Sequence, residues 1–188
     1  FVQALRHHHR VITLDLPGFG KSNQAYENPS ITDYAWDVHE TLSHLGIEKC
    51  ILIGHSLGGY VSLAYAKAYP HQLLGLGLFH STAFADDDTK KKTRTKSIDF
   101  INTHGSDTFV NNMFGNLFSP SKKGALKTQI ASFIEKCSQT SAESIMKTQL
   151  AMRDREERID VLKMLSVPVL FIVGKEDQSV PLAKSMAQ

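Results

Sequence analysis

The chain has 188 residues, of which 41% are hydrophobic and 21% charged, a balance typical of a soluble globular domain with a sizeable core. This length predicts one domain, with room for an insertion but not for a second full domain. The net charge of +2 is too small to indicate a nucleic acid or an anionic membrane as the main partner. The longest apolar runs, residues 73–79 and 167–173, are far shorter than the ~18 residues that a membrane span needs.

Cysteine usage and the amino terminus bear on the cellular compartment. Cys50 and Cys137 form neither a disulfide framework nor a CxxC pair, and no secretion signal is visible, so we expect a reducing, cytoplasmic setting. Because the chain opens on Phe1 rather than Met, we expect residues of the natural protein to precede it.

The first elements are a helix end, a strand and a capped helix. Residues up to Arg10 look like the end of a helix, and the β-rich run 11–14 predicts a strand that ends at a turn over residues 17–20. Ser30 opens the next helix, with Asp33 as its capping-box partner. One apolar stripe of helical period follows, formed by Ile31, Ala35, Val38, Leu42 and Leu45. Gly46 is placed to end this helix.

Three further apolar runs, residues 50–54, 73–79 and 167–173, show no polar alternation after Cys50. Strands of this kind are buried on both faces, as in a parallel sheet. A helix over about residues 57–69, ended by Pro70, separates the first two runs. The pattern predicts an α/β fold, a mostly parallel sheet with helices on both faces.

Residues 83–160 differ in character, with apolar residues at helical spacings and no β-rich run. They predict a helical insertion that divides the core into residues 1–82 and 161–188. The charges of residues 86–96 nearly cancel, which favours the solvated start of a helix over a nucleic-acid site.

The strongest chemical motif is G-x-S-x-G at residues 54–58, directly after a predicted buried strand and at the start of a helix. In this context the turn strains the backbone of Ser56 and lifts its Oγ clear of the sheet. Gly54 and Gly58 are expected where strand and helix approach too closely for side chains. The Leu57 N–H would point, with the helix dipole behind it, at a developing oxyanion. The alternative is a glycine-rich helix entry with an ordinary serine.

Together these motifs resemble the α/β-hydrolase superfamily over the whole chain. Residues 15–22 look like its D-x-P-G-x-G-x-S turn, residues 54–59 its nucleophile elbow, and residues 168–181 its strand and loop that present the acidic triad member. By this match Asp177, not Glu176, aligns with the carboxylate. The helical insertion resembles the cap domain that these enzymes place over the pocket.

The resemblance implies a serine hydrolase acting on a carboxylic ester or similar small-molecule acyl substrate, with Ser56 and Asp177 in a Ser-Asp-His triad and Leu57 as oxyanion donor. It implies no metal and no organic cofactor. Carbon–carbon bond hydrolysis, amide hydrolysis, a lyase reaction and a binding protein that has lost the triad stay open as alternatives. A serine nucleophile argues against a dehalogenase or an epoxide hydrolase, which use aspartate.

Two parts of the family's pattern are not found in the 188 residues. No His lies between Asp177 and Gln188, and the given sequence begins too late to include the second oxyanion donor or the strand expected between residues 11–14 and 50–54. We therefore interpret the chain as an internal fragment of a longer hydrolase, truncated at both ends. The catalytic His is expected beyond the chain, and the fragment alone is expected to be inactive.

Three weaker patterns have simpler explanations than a functional site. Residues 20–22 end like a P-loop, but Asp15 stands where its first Gly is required and polar loop follows, so an NTPase is disfavoured. His55 adjoins Ser56, but neighbours on a sharp turn point apart, which favours packing. His80 and His104 could face the pocket, although a satisfied or solvent-facing imidazole explains each one more simply.

Overall fold

The computed structural model describes residues 2–22 and 26–188, apart from the side chains of residues 115 and 116. The strands are β1 (Cys50–His55), β2 (Leu73–Phe79) and β3 (Val169–Ile172). The helices are α1 (Val2–Leu5), α2 (Ile31–His44), α3 (Leu57–Ala68), α4 (Asp88–Leu117), α5 (Pro120–Lys123), α6 (Lys127–Cys137), α7 (Ala142–Arg153), α8 (Ile159–Met164) and α9 (Leu182–Ala187).

The described strands form one parallel sheet in the order β1-β2-β3. His55 pairs with Phe79, and Phe79 pairs with Ile172, so the three strands end level with one another. Because parallel strands share a direction, the residues that follow them meet at one edge of the sheet. The α/β architecture predicted from the spacing of the apolar runs is confirmed.

The local signals around α2 are also confirmed. The Ser30 Oγ accepts a hydrogen bond from the Asp33 N–H at 3.2 Å, and the Asp33 carboxylate accepts one from the Ser30 N–H at 2.7 Å. Gly46 ends the helix with φ of +66°, a conformation that favours glycine. Four members of the predicted stripe are buried: Ile31, Ala35, Val38 and Leu42. The fifth, Leu45 at the C-cap, is 40% exposed.

The predicted two-sided burial of β1 and β3 is wrong. The residue surface is more than half exposed at Ile51, Ile53 and Leu170. Helix α3 packs on the opposite face, where Leu52 joins the core. The register aligns Ile53 and Leu170 on either side of Gly77, so the exposed side chains share one face. An apolar run alone does not report which elements cover its two faces.

Residues 11–14 do not form the predicted strand. Ile12 and Leu16 still pack against the core. A strand exists only through pairing with a neighbour, and no described strand lies beside this segment. The turn after it is present: Gly20 has φ of +54°, and the Asp15 carboxylate accepts a hydrogen bond from the Lys21 N–H at 3.0 Å.

Helices α4 to α7 lie within residues 83–160, and no strand is assigned to the described part of that range. Helix α4 contains a break at Gly105, whose φ is +82°. The helices α4 and α7 pack against each other. The interpretation of this range as a cap stays a prediction.

The charge block of residues 86–96, which includes the start of α4, is not simply solvated, and this corrects the interpretation from sequence. Asp87 does cap the helix, but the Asp86 side chain is fully buried and ion-paired. Its Oδ2 lies 2.5 Å from Arg94 Nε, and its Oδ1 lies 2.7 Å from an Arg155 guanidinium nitrogen. The same guanidinium lies 3.9 Å from the centroid of the Tyr60 ring in α3. This cluster joins the start of α4 to the core.

We expect Asp86→Asn to lower the free energy of unfolding by about 3–5 kcal/mol, because it leaves two largely buried guanidinium groups without their counter-charge. Urea unfolding measures the loss. The matched control is Asp88→Asn, at an exposed position in the first turn of α4, which should cost less than about 1 kcal/mol. Equal losses for the two variants would contradict a dominant role of the buried cluster.

Candidate active site

Backbone hydrogen bonds extend the sheet one residue past the ends of β1 and β2. The Ser56 N–H donates to the Phe79 carbonyl at 2.9 Å, and the His80 N–H donates to the Ile172 carbonyl at 2.9 Å. Ser56 and His80 therefore lie at the same edge of the sheet, beside the loop that carries Asp177.

Ser56 has the strained backbone that its motif predicts, with φ of 49° and ψ of −112°. A positive φ is costly for a residue with a Cβ atom and is found mostly at functional sites. Ser56 is the N-cap residue of α3, yet its side chain makes no capping hydrogen bond, and the residue is exposed. Its carbonyl accepts hydrogen bonds from the Gly59 N–H at 2.9 Å and the Ser81 hydroxyl at 2.8 Å. The hydroxyl thus stands at the surface on a fixed turn.

The glycines of the motif have unequal roles. A Cβ on Gly54 would lie 2.2 Å from the Gly58 carbonyl oxygen, and one on Gly59 would lie 2.2 Å from Ser81 Oγ. A Cβ on Gly58 would meet nothing within 4 Å. The steric requirement predicted for Gly54 is confirmed and that for Gly58 is wrong, because Gly58 supplies a backbone contact and its own Cα faces open space. Gly59 lies at the second close approach.

We expect Gly54→Ala to destabilise the protein by about 3 kcal/mol, since the added methyl would overlap backbone atoms that cannot move aside. Gly58→Ala should be neutral or stabilising by up to about 1 kcal/mol, because alanine favours a helix. Thermal unfolding of the two variants checks the ranking. A reversed order would show that the strand and helix are not in close contact at Gly54.

Leu57 is the first residue of α3, a helix of 12 residues. The N–H groups of a first helical turn have no acceptor within their own helix, and the helix dipole makes this end attractive to negative charge. The position therefore has the properties expected of an oxyanion donor, a role that stays a prediction.

Asp177 follows β3 with both carboxylate oxygens in use. Its Oδ1 accepts hydrogen bonds from the Ser179 N–H at 2.7 Å and the Val180 N–H at 2.9 Å. Its Oδ2 lies 2.6 Å from His80 Nδ1. Burial opposes ionisation, but the hydrogen bonds from Val180, His80 and Ser179 outweigh it and hold the pKa of Asp177 below its ordinary value. Neighbouring Glu176 is exposed.

The contact between His80 and Asp177 was not predicted from the sequence. The sequence leaves His80 either facing the pocket or as a satisfied or solvent-facing imidazole, and the structure places its ring on Asp177, 97 positions along the chain. It has φ of +46°, and a Cβ on Gly174 would lie 2.8 Å from its Cε1. One sequence signal could have found it: a histidine directly after a buried strand, at the edge where Ser56 and Asp177 are expected.

The other two candidate histidines, His55 and His104, contact aromatic rings. His55 packs edge-on against Phe79 and His80, with centroids 5.9 and 6.0 Å apart. His104 lies 4.5 Å from the Phe100 ring within α4. In the part of the chain that the structure describes, no group of three His, Cys, Asp or Glu residues could hold a metal ion. None of the described helices is long and apolar enough to cross a membrane.

Comparisons with known proteins agree with the fold and the motifs. The family model described as the alpha/beta hydrolase fold matches residues 1–188. The chain is 27% identical over 186 residues to a putative carbamate hydrolase, RutD, of Azorhizobium caulinodans, covering 96% of this chain and 68% of that protein. It is 28% identical to a 2-hydroxy-6-oxononadienedioate/2-hydroxy-6-oxononatrienedioate hydrolase of Paraburkholderia phymatum, covering 93% of this chain and 62% of that protein.

Among solved structures, the chain is similar to a thermophilic esterase from Thermogutta terrifontis, with a TM-score of 0.92 and 29% identity over 99% of this chain and 69% of that one. It thus spans about two-thirds of the length of these three relatives. The family resemblance expected from residues 15–22, 54–59 and 168–181 is confirmed. The chain belongs to the alpha/beta hydrolase fold family.

Proposed function

We propose that the natural protein containing these 188 residues is a serine hydrolase of carboxylic esters or similar small acyl compounds, with Ser56 as nucleophile. The observation that carries the proposal is Ser56 itself: an exposed serine with φ of 49° at the start of α3. The hydrogen-bonded carboxylate of Asp177 stands at the same sheet edge. The similarity to an esterase at 29% identity supports an acyl substrate.

In the proposed reaction, Ser56 Oγ attacks the acyl carbon while a histidine takes its proton. The Leu57 N–H stabilises the oxyanion of the tetrahedral intermediate. The histidine then protonates the leaving alcohol, and water hydrolyses the acyl-enzyme by the same steps. Asp177 accepts a hydrogen bond from the histidine and so keeps its other nitrogen free for the Ser56 proton. The order of the family's triad puts this histidine after Asp177, and the proposed steps use no metal or organic cofactor.

We also propose that residues 83–160 form the cap over this site, between core parts 1–82 and 161–188. Contacts between the first cap helix and the acid loop support this. Lys90 Nζ, on α4, donates to the Ser179 carbonyl, two residues from Asp177. Lys184 Nζ lies 2.9 Å from the Asp87 carboxylate at the start of the same helix.

Carbon–carbon bond hydrolysis is the second candidate, favoured by the 28% identity to the Paraburkholderia phymatum hydrolase. The two activities use different leaving groups: an alcohol in one, an enol carbon in the other. Steady-state assays with p-nitrophenyl esters and with a 2-hydroxy-6-oxo-dienoate separate them. We expect turnover of the ester and little turnover of the dienoate, and the reverse ranking would favour the second candidate.

Covalent labelling tests the nucleophile. Reaction of the natural protein with a p-nitrophenyl phosphonate should release one equivalent of p-nitrophenol from the reagent, and peptide mass spectrometry should locate the phosphonyl adduct on Ser56. An adduct on another serine, or no adduct in a protein that hydrolyses esters, would overturn the proposal.

A further inference from the structure

The contact between His80 and Asp177 joins the proposed triad to a residue outside it. We propose that His80 is a positioning residue, which holds the Asp177 carboxylate so that its remaining acceptor site faces the catalytic histidine. The inference rests on the proposed function, because Asp177 needs an orientation only if it orients a base.

The hydrogen bonds of Asp177 leave little freedom to its carboxylate. A carboxylate offers about four acceptor sites, two on each oxygen. Ser179 and Val180 occupy two on Oδ1, and His80 occupies one on Oδ2. One site is left, on Oδ2. Since a carboxylate only accepts, the proton of this contact must be on His80 Nδ1.

The fold holds His80 in a strained backbone conformation. Its φ of +46° is unfavourable for a residue with a side chain, and such strain persists only where the surroundings enforce it. The hydrogen bond from its N–H to the Ile172 carbonyl fixes the backbone. Gly174 leaves the room that the ring needs, because a Cβ there would lie 2.8 Å from its Cε1. Three separate features therefore direct one ring at one carboxylate.

The electrostatics agree with this geometry. Burial raises the pKa of Asp177, but the hydrogen bonds from Val180, His80 and Ser179 lower it by more than burial raises it. The pKa is therefore below its ordinary value, and the group is ionised at neutral pH. The His80 contact is the one of these three that comes from a side chain. Its loss would leave Oδ2 held by no described residue and raise the pKa of Asp177.

Two substitutions separate the hydrogen bond from the backbone conformation. Asparagine tolerates positive φ, and its Nδ2 lies close to where a histidine carries Nδ1, so His80→Asn keeps both features. Glycine tolerates positive φ even better but has no donor, so His80→Gly removes only the side chain. Neither variant strains the turn, and His71→Asn, at an exposed position in the turn before β2, is the matched control.

The test measures kcat and KM for a p-nitrophenyl ester in the natural full-length protein. We expect His80→Gly to lower kcat about 10-fold to 100-fold at similar KM, by analogy with the loss of hydrogen bonds that orient the ligands of metal sites. His80→Asn should stay within about threefold of the parent, and His71→Asn should equal it. Full activity of His80→Gly would overturn the proposal. Equal loss in His80→Asn and His80→Gly would overturn it too, because it would make His80 itself the base.

A second measurement does not depend on turnover. Titration of the ¹³C-labelled Asp177 carboxyl by NMR should show a raised pKa in His80→Gly and a restored one in His80→Asn. An unchanged pKa in both variants would contradict the positioning contact. Ser56→Ala distinguishes this failure from a failure of the proposed function: if that variant loses turnover while His80→Gly keeps it, only the role of His80 is wrong. If Ser56→Ala keeps full turnover, the proposed function fails.

Discussion

Ser56→Ala is expected to lower kcat for a p-nitrophenyl ester by about 10⁶-fold in the natural protein, the order of effect that follows removal of a serine nucleophile elsewhere. The reason is that the acyl-enzyme cannot form without Oγ, so only the oxyanion donors and substrate binding still contribute. The fold should survive, because the Ser56 side chain makes no capping hydrogen bond to α3.

Pre-steady-state and steady-state assays measure the loss, and circular dichroism checks the fold. Ser43→Ala, at an exposed position on α2, provides the control and should match the parent. Ser56→Ala with more than about a tenth of the parental kcat would exclude Ser56 as the nucleophile.

Asp177→Asn is the second large effect, with kcat expected to fall about 10⁴-fold, as when a triad aspartate becomes an amide and the histidine adopts the wrong tautomer. The local hydrogen bonds explain the direction. The N–H groups of Ser179 and Val180 both donate to Oδ1, so the amide oxygen must occupy that position. The amide nitrogen then replaces Oδ2, where it presents a donor to His80 and to the catalytic histidine.

Glu176→Gln is the matched control for Asp177→Asn, because it makes the same change of charge one residue away on an exposed side chain. It should leave kcat within about twofold of the parent. A larger loss in Glu176→Gln than in Asp177→Asn would show that the acid was assigned one residue off. Steady-state kinetics at fixed pH are sufficient to rank the two variants.

The elements that the sequence alone determined are those with local causes. The capping box of Ser30 and Asp33 joins residues three positions apart, and Gly46 ends the helix through its own backbone conformation. The turn at Ser56 likewise depends on its neighbours, since a strand and a helix must approach closely around Gly54. These features were predicted correctly because their physics is complete within a few residues.

At three other positions only the tertiary structure decided which groups are buried and which become partners. Asp86 stands in a charge block typical of solvent, yet Arg94 and Arg155 compensate its burial. Ile53 lies in an apolar run typical of a buried strand, yet no described element covers it, and it is 55% exposed. His80 meets Asp177 only because two parallel strands end at the same edge of the sheet. Burial and ion pairing depend on the packing of distant segments, whereas composition and spacing report only what one segment can do.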